Sequence, residues 1–288
     1  MGSWGLSSSQ NEGRLDPTYR YETSWILPPR LLFFIRALLS LYAFVTLFFI
    51  FGWNGSHGMS EESRHSFSYF THLTYWGLAF YYAFAASHSC SYWLTGTSFL
   101  ARWPRALQGA HAMLYSTVVV FPWIVTAVFW ALLAPSDGFS SPFSLWSNTS
   151  QHALNASYAL FEIVFPRTEP PAFLQMVPIV VILGLYLGLA YLTLETEGFY
   201  VYEFLDPRTN STGIVAGYIV GILAAAVVVF LIVRYVIVLR LWLTEKKLGM
   251  AGKFRSSGKA KMVVGKSPTA QRQSEVAPTN RPSPGLMS

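Results

Sequence analysis

The chain predicts an all-α fold: a polytopic membrane protein of six transmembrane helices with both termini cytoplasmic. Three observations carry this expectation. Of 288 residues, 52% are hydrophobic and only 12% charged, a balance foreign to soluble domains of that length. Apolar runs long enough for a roughly 30 Å hydrocarbon core recur along the chain, each bounded by polar residues. Lys and Arg then fall unequally on alternate connections, as they do when cytoplasmic loops retain the basic residues. Aromatics at 17% agree, because Trp and Tyr gather at the membrane–water interface.

Residues 1–30 are polar, lack periodicity and read as a flexible tail with no cleavable leader. The first span, 31–53, holds Arg36 near its start, where a long stem lets the guanidinium snorkel toward headgroups. The second, 67–89, is the unusual one. Thr71, His72 and Thr74 crowd its start and His88 lies near its end. Such groups are costly in hydrocarbon unless they face protein or a water-filled cavity, so this span reads as the wall of an intramembrane site. Residues 90–105 form a loop with Arg102, Arg105 and no acid. The third span, 109–133, contains Pro122, a possible source of a kink.

The fourth span, 147–165, is the weakest by hydropathy. Residues 152–165 alone cover about 21 Å of a core of about 30 Å, so the helix has to borrow the residues before His152. Glu162 near its inner end is expected to pair with Arg167 as a boundary ion pair. Spans five and six occupy 174–194 and 213–233, the last running on as an interfacial helix through Arg234 and Arg240. Residues 244–288 read as a basic, disordered tail.

That tail explains the net charge of +6. From Thr244 onward there are nine Lys/Arg and two Glu, or +7, which leaves eleven basic and twelve acidic residues, or −1, in the body. The basicity therefore points to anionic lipid headgroups beside a membrane and not to nucleic acid, since no folded basic surface with interleaved aromatics is visible. With both termini inside, the inner segments hold Arg14, Arg20, Arg30, Arg102, Arg105, Arg167 and the tail, whereas the outer loops hold Arg64 and Arg208. Asn-x-Ser/Thr triplets at Asn54, Asn148 and Asn210 fall in segments this topology puts outside. The one cysteine, Cys90, permits no intrachain disulfide.

Depth sorts the chemistry. Thr71 and His72, His152, and Glu195 with Glu197 lie near the outer face; His88 and His111 lie near the inner one. Thr71 and His88 are about 25 Å apart along one helix and cannot share a reaction centre. Thr71 and His152 can meet if spans two and four are neighbours. On span four His152, Asn155 and Ala159 share a face within about 60°. Small and hydroxyl residues on facing helices also describe ordinary packing, and a membrane threonine often bonds its own i−4 carbonyl. Two other constellations exist. His88 with His111, and His72 with His152, could ligate haems. His57, His65 and the acids between Glu195 and Asp206 lack any zinc-binding spacing.

Four passages resemble the androgen-induced protein / androgen-dependent TFPI-regulating protein family. Tyr69-Phe70-Thr71-His72-Leu73 is similar to the family's Tyr-Leu-Thr-Phe-Leu at the start of its second span. Phe121-Pro122 with Val128-Phe129-Trp130 is similar to its third span. Asn148-Thr149-Ser150-Gln151-His152 matches its Asn-x-x-x-His before the fourth. Gly198-Phe199-Tyr200-Val201-Tyr202-Glu203-Phe204-Leu205 resembles its Gly-Met-Trp-Val-Tyr-Pro-Phe-Leu after the fifth. They occur in matching order across roughly 67–206. The chain departs from the animal pattern in the long loop before span four, the basic tail and the polar His72-Leu73-Thr74.

The resemblance implies an integral-membrane hydrolase of fatty-acid esters of hydroxy fatty acids, with Thr71 as nucleophile and His152 as base. Asn148 is a candidate oxyanion donor; Asn155 and Glu195 are candidates to orient His152. The expected substrate is a membrane lipid or fatty-acid ester, with no metal and no cofactor, in the endoplasmic reticulum or plasma membrane. A non-catalytic lipid-binding or scaffold protein, with the same residues as packing, is the alternative.

Overall fold

The computed structural model describes residues 16–250 and 252–254. The fold is all-α: among these residues there is no strand, only two isolated β-bridges from Ser24 to Pro166 and to Lys253. Helices α1 (Pro29–Ser56), α2 (Ser60–His65), α3 (Phe70–Thr95), α4 (Arg105–Val128), α5 (Pro142–Thr149), α6 (Asn155–Val164), α7 (Met176–Glu197) and α8 (Thr212–Leu241) follow in order. Three π-helical turns, Phe129–Leu133, Ser150–Leu154 and Trp242–Lys247, extend α4, join α5 to α6 and extend α8. Helix α3 stops at Gly96 and α7 at Gly198, both left-handed, with φ of 79° and 77°. Glycine meets that requirement without a Cβ clash, so each is a sharp C-terminal stop.

Four helical stretches are long and apolar enough to cross a membrane: Pro29–Ser56, Arg105–Leu133, Phe173–Glu197 and Thr212–Lys247. The other two rods, α3 and the α5–α6 pair, carry more polar side chains, and the packing explains why they can. Helix α3 lies along most of α1 and against α4, while α6 sits between α4 and α8. Thirteen residues of α3 are buried, against three on α7. Polar groups are placed where protein, not lipid, surrounds them. The core gathers there, around Tyr75, Tyr81, Tyr82, Tyr115, Val119 and Phe230.

One end of the bundle is tied by a strap. Residues 16–28, expected as part of a flexible tail, are packed: Glu22, Thr23 and Ser24 are buried. Arg167 N–H donates to Thr23 O at 2.9 Å, Lys253 N–H to Ser24 O at 2.7 Å, and Trp25 Nε1 to Val164 O at 2.8 Å. The loop after α6 and the end of α8 leave backbone groups unpaired, and this strap satisfies them.

The ion pair expected between Glu162 and Arg167 does not form. Glu162 is gripped instead by Arg36, Nε to Oε1 at 2.8 Å and Nη2 to Oε2 at 2.7 Å. Tyr81 adds a 3.0 Å bond to Oε2, and Arg36 Nη1 donates to Tyr21 O and Ser89 Oγ. Arg36 is 1% exposed, so it does not snorkel. The reason is geometric: α6 ends at Val164, and the chain turns Arg167 away toward Glu245, 3.1 Å from it. A guanidinium in hydrocarbon needs several acceptors, and here the carboxylate, a carbonyl and a hydroxyl supply them. Of the Asn-x-Ser/Thr triplets expected in outer loops, Asn54 falls within α1 and Asn148 within α5, while Asn210 lies in the connection ahead of α8.

Candidate functional site

Helix α3 begins abruptly. Tyr69 is extended, with φ −93° and ψ 130°, and contributes no side-chain cap. The first amides of any helix lack upstream acceptors, and here a distant residue answers one of them. Tyr202, from the connection between α7 and α8, accepts the Phe70 N–H on its hydroxyl at 3.2 Å. The side chains of Thr71 and Tyr186 lie beside the same hydroxyl. Tyr186 donates in turn to Ser68 O at 3.0 Å. Burial holds the Tyr202 phenol above its ordinary pKa, so it stays protonated. Stacking on Phe204, at 5.0 Å and 9°, fixes its ring.

Thr71 is therefore buried in a small hydroxyl cluster at the first turn of α3. Its side chain forms part of the wall of a cavity of about 220 Å³, otherwise lined by apolar groups such as Val125, Phe129, Gly184, Phe204 and Ile222. Phe70 and Tyr186, whose rings pack at 4.9 Å, separate this cavity from a second one of about 370 Å³ that reaches Gly77, Met113 and Pro122. Both are apolar, with hydroxyls at their margins.

His152 stands on the π turn between α5 and α6, which packs against α3 and α4. Spans two and four are thus neighbours, the condition for Thr71 and His152 to share a site. The imidazole lies flat on Phe129, with centroids 3.7 Å apart and planes 3° from parallel. Phe129 opens the π turn that ends α4, and it also lines the Thr71 cavity. One aromatic ring is therefore shared by the cavity wall and the His152 stack. Nδ1 of His152 has no hydrogen-bond partner, and the Thr71 hydroxyl lies beside that of Tyr202. Trp130 Nε1 donates to the His152 carbonyl at 3.2 Å and pins the turn.

The supporting residues are placed differently from expectation. Asn148 lies inside α5 and spends its Nδ2 on Ser144 O at 2.9 Å, an i−4 bond along its own helix, so it is not aimed at Thr71. Asn155 is buried, but its Oδ1 accepts from Thr126 Oγ1 at 3.0 Å and from Ala156 N at 2.7 Å, which ties α6 to α4 and does not orient His152. Glu195 is exposed in the last turn of α7. His57 stacks on Trp53 at 4.1 Å, and His65 lies 3.5 Å from Glu197 beside Arg64. Among the described residues no three His, Cys, Asp or Glu side chains gather as a metal site.

Sequence reasoning missed Tyr202, Tyr186 and Phe129 as partners of the site. Only the resemblance across 198–205 contained a hint of the first. Helical-period arguments assume 3.6 residues per turn and cannot register a π insertion, a feature found often at functional sites. At the opposite end of α3, His88 and His111 adjoin each other with ring centroids 5.0 Å apart at 79°. Two axial haem ligands stand in line on opposite faces of the macrocycle, with centroids about 6 Å apart, so this packing leaves no slot for one. Comparison with protein-family models, with curated proteins and with solved structures finds no match for this chain.

Proposed function

We propose that the protein is an integral-membrane lipid-ester hydrolase with Thr71 as nucleophile and His152 as base. In this reading all six rods cross the membrane, both termini face the cytoplasm, and the basic tail meets anionic headgroups in the endoplasmic reticulum or plasma membrane. The observation that carries it is the position of Thr71: a hydroxyl in the first turn of a helix, at the wall of an apolar cavity whose Phe129 ring stacks on a histidine with an unpartnered nitrogen. The sequence passages similar to the androgen-induced protein family point to the same pair and to fatty-acid esters of hydroxy fatty acids as the substrate class.

The chemistry follows from these placements. An ester chain fills the apolar cavity and its carbonyl comes to Thr71. Threonine is a weak nucleophile until a base takes its proton, and the free Nδ1 of His152 is the nitrogen available for it once the ring turns off Phe129. Oxygen–carbon bond formation gives a tetrahedral intermediate, whose negative oxygen can be received by the first-turn amides of Thr71 and His72, for which no carbonyl lies upstream. Collapse expels the hydroxy acid, which takes the proton from His152, and leaves acyl-threonine; water repeats the sequence to release the fatty acid. Tyr202 holds the Thr71 hydroxyl in place before the attack.

Labelling with a fluorophosphonate probe tests this. Wild-type protein in detergent is expected to label, Thr71→Ala and His152→Ala to lose the label, and Tyr202→Phe to label about tenfold or more slowly. Equal labelling of wild type and Thr71→Ala overturns the proposal. A second reading, a non-catalytic lipid-binding protein, is favoured by one observation, the close stacking of His152 on Phe129. It requires that wild type bind a fluorescent fatty acid in the cavity and never become labelled.

A further inference from the structure

We propose that His88 and His111 form a divalent transition-metal site, independent of the Thr71 cavity and at the opposite end of α3. Three observations converge on it. His88 is 1% and His111 4% exposed, yet all four of their ring nitrogens lack a hydrogen-bond partner. A buried imidazole nearly always has both nitrogens satisfied, because leaving them bare forfeits their hydration with nothing in return. Two adjacent histidines with every nitrogen bare mark a place for something the chain itself does not supply.

The second observation is the geometry of the pair. A metal held about 2.0–2.1 Å from an imidazole nitrogen lies about 3.2 Å from that ring's centroid, and two such rings at a tetrahedral centre have centroids about 5.2 Å apart. Here the separation is 5.0 Å, with planes 79° apart. The centroid separation thus matches that of two imidazoles on one tetrahedral ion. Neighbours hold the pair in this pose: Trp103 stands edge-on to His88 at 4.7 Å, Tyr81 stacks on His111 at 5.6 Å and 23°, and Tyr21 from the strap closes edge-on at 5.2 Å.

The third observation is charge. Arg36, which donates to the carbonyl of Tyr21 beside His111, is paired with the bidentate Glu162 carboxylate, so it does not present an uncompensated positive charge that would repel a metal ion. Two neutral imidazoles suit zinc and its neighbours in the first transition row, not magnesium or calcium, which prefer oxygen. With only two side-chain ligands, the remaining positions belong to water. The site is then labile, and its occupancy follows the free metal concentration.

Zinc and cobalt serve as probes. Full-length protein purified in detergent and run through a gel-filtration column equilibrated with about 10 µM free Zn²⁺ is expected to carry about one zinc per chain above the buffer level by elemental analysis. His88→Gln and His111→Gln are expected to lose at least tenfold of that, whereas His57→Gln, on an exposed ring, keeps it. Cobalt in place of zinc is expected to give the visible d–d bands of a tetrahedral centre in wild type and not in either variant. Should either variant fail to fold, wild type alone decides: zinc raises its melting temperature and a chelator reverses the rise, since a ligand that binds only the native state stabilises it. Zinc at background level with no cobalt bands and no thermal shift overturns the proposal, and so does zinc content that both variants share with wild type.

Discussion

Glu22 belongs to a segment whose sequence predicts a flexible tail, yet its surroundings make it the clearest pH-sensitive group outside the long apolar helices. Its side chain is 1% exposed and accepts a bond from Ser98 Oγ. Burial first, and the charge of Asp16 second, lift its pKa from 4.5 to about 7. The folded chain then holds a proton that the unfolded chain has released between those values, so stability falls as pH rises. The contribution is full below about pH 4.5 and is lost as pH passes through about 7; the total is of order 3 kcal/mol. Thermal unfolding in detergent is expected to give a melting temperature that declines between pH 5 and 7.5, and Glu22→Gln is expected to flatten that decline. An unchanged slope in the variant would show that another group governs it. Nothing in the residue pattern of 16–28 marks these positions as buried, because the strap is held by backbone bonds to distant loops, and backbone groups leave no trace in side-chain periodicity.

At the scale of elements, the π turn Ser150–Leu154 decides where His152 points. A π turn inserts one residue into a helix, and everything before it is rotated by about 100° relative to a continuous α-helix. This is also where sequence reading stopped. The face shared by His152 and Asn155 follows from regular α geometry; with the insertion His152 turns to Phe129 while Asn155 bonds Thr126 on α4. By contrast, the existence of each long helix was legible, since apolar runs of twenty residues have few alternatives. The adjacency of spans two and four was legible only as a condition on Thr71 and His152. Deleting Ala153, which is partly buried and offers no polar side chain, is expected to restore α geometry, swing His152 off Phe129 and leave the bundle folded. Circular dichroism is expected to change little while fluorophosphonate labelling of Thr71 drops to the level of His152→Ala. Retained labelling would mean that the turn does not position the base.

For the molecule as a whole, the pairing of Arg36 with Glu162 ties the two less apolar rods to the four that are long and apolar enough to cross a membrane. That pair joins α1 to α6, and Tyr81 and Ser89 of α3 complete it; both less apolar rods are therefore clamped to the most apolar ones by a buried charge. A carboxylate and a guanidinium that shielded from water are stable only with the surrounding helices in place. The rods alternate in direction, which gathers the strap, Ser98, Phe165 and Glu245 at one end and Arg64, bonded to Glu197, at the other. The distribution of Lys and Arg then predicts which end faces the cytoplasm. In a Cys90→Ser background, single cysteines at Glu61, Ser136 and Thr209, all exposed, are expected to react with a membrane-impermeant maleimide applied to intact cells or to the lumenal side of vesicles. Cysteines at Ala106 and Glu169, also exposed, are expected to react only after the membrane is opened. Should Ser136 and Ala106 fall on the same side, α4 would not cross the membrane; should the two groups exchange sides, the Thr71 cavity would open toward the cytoplasmic leaflet and draw its ester from there.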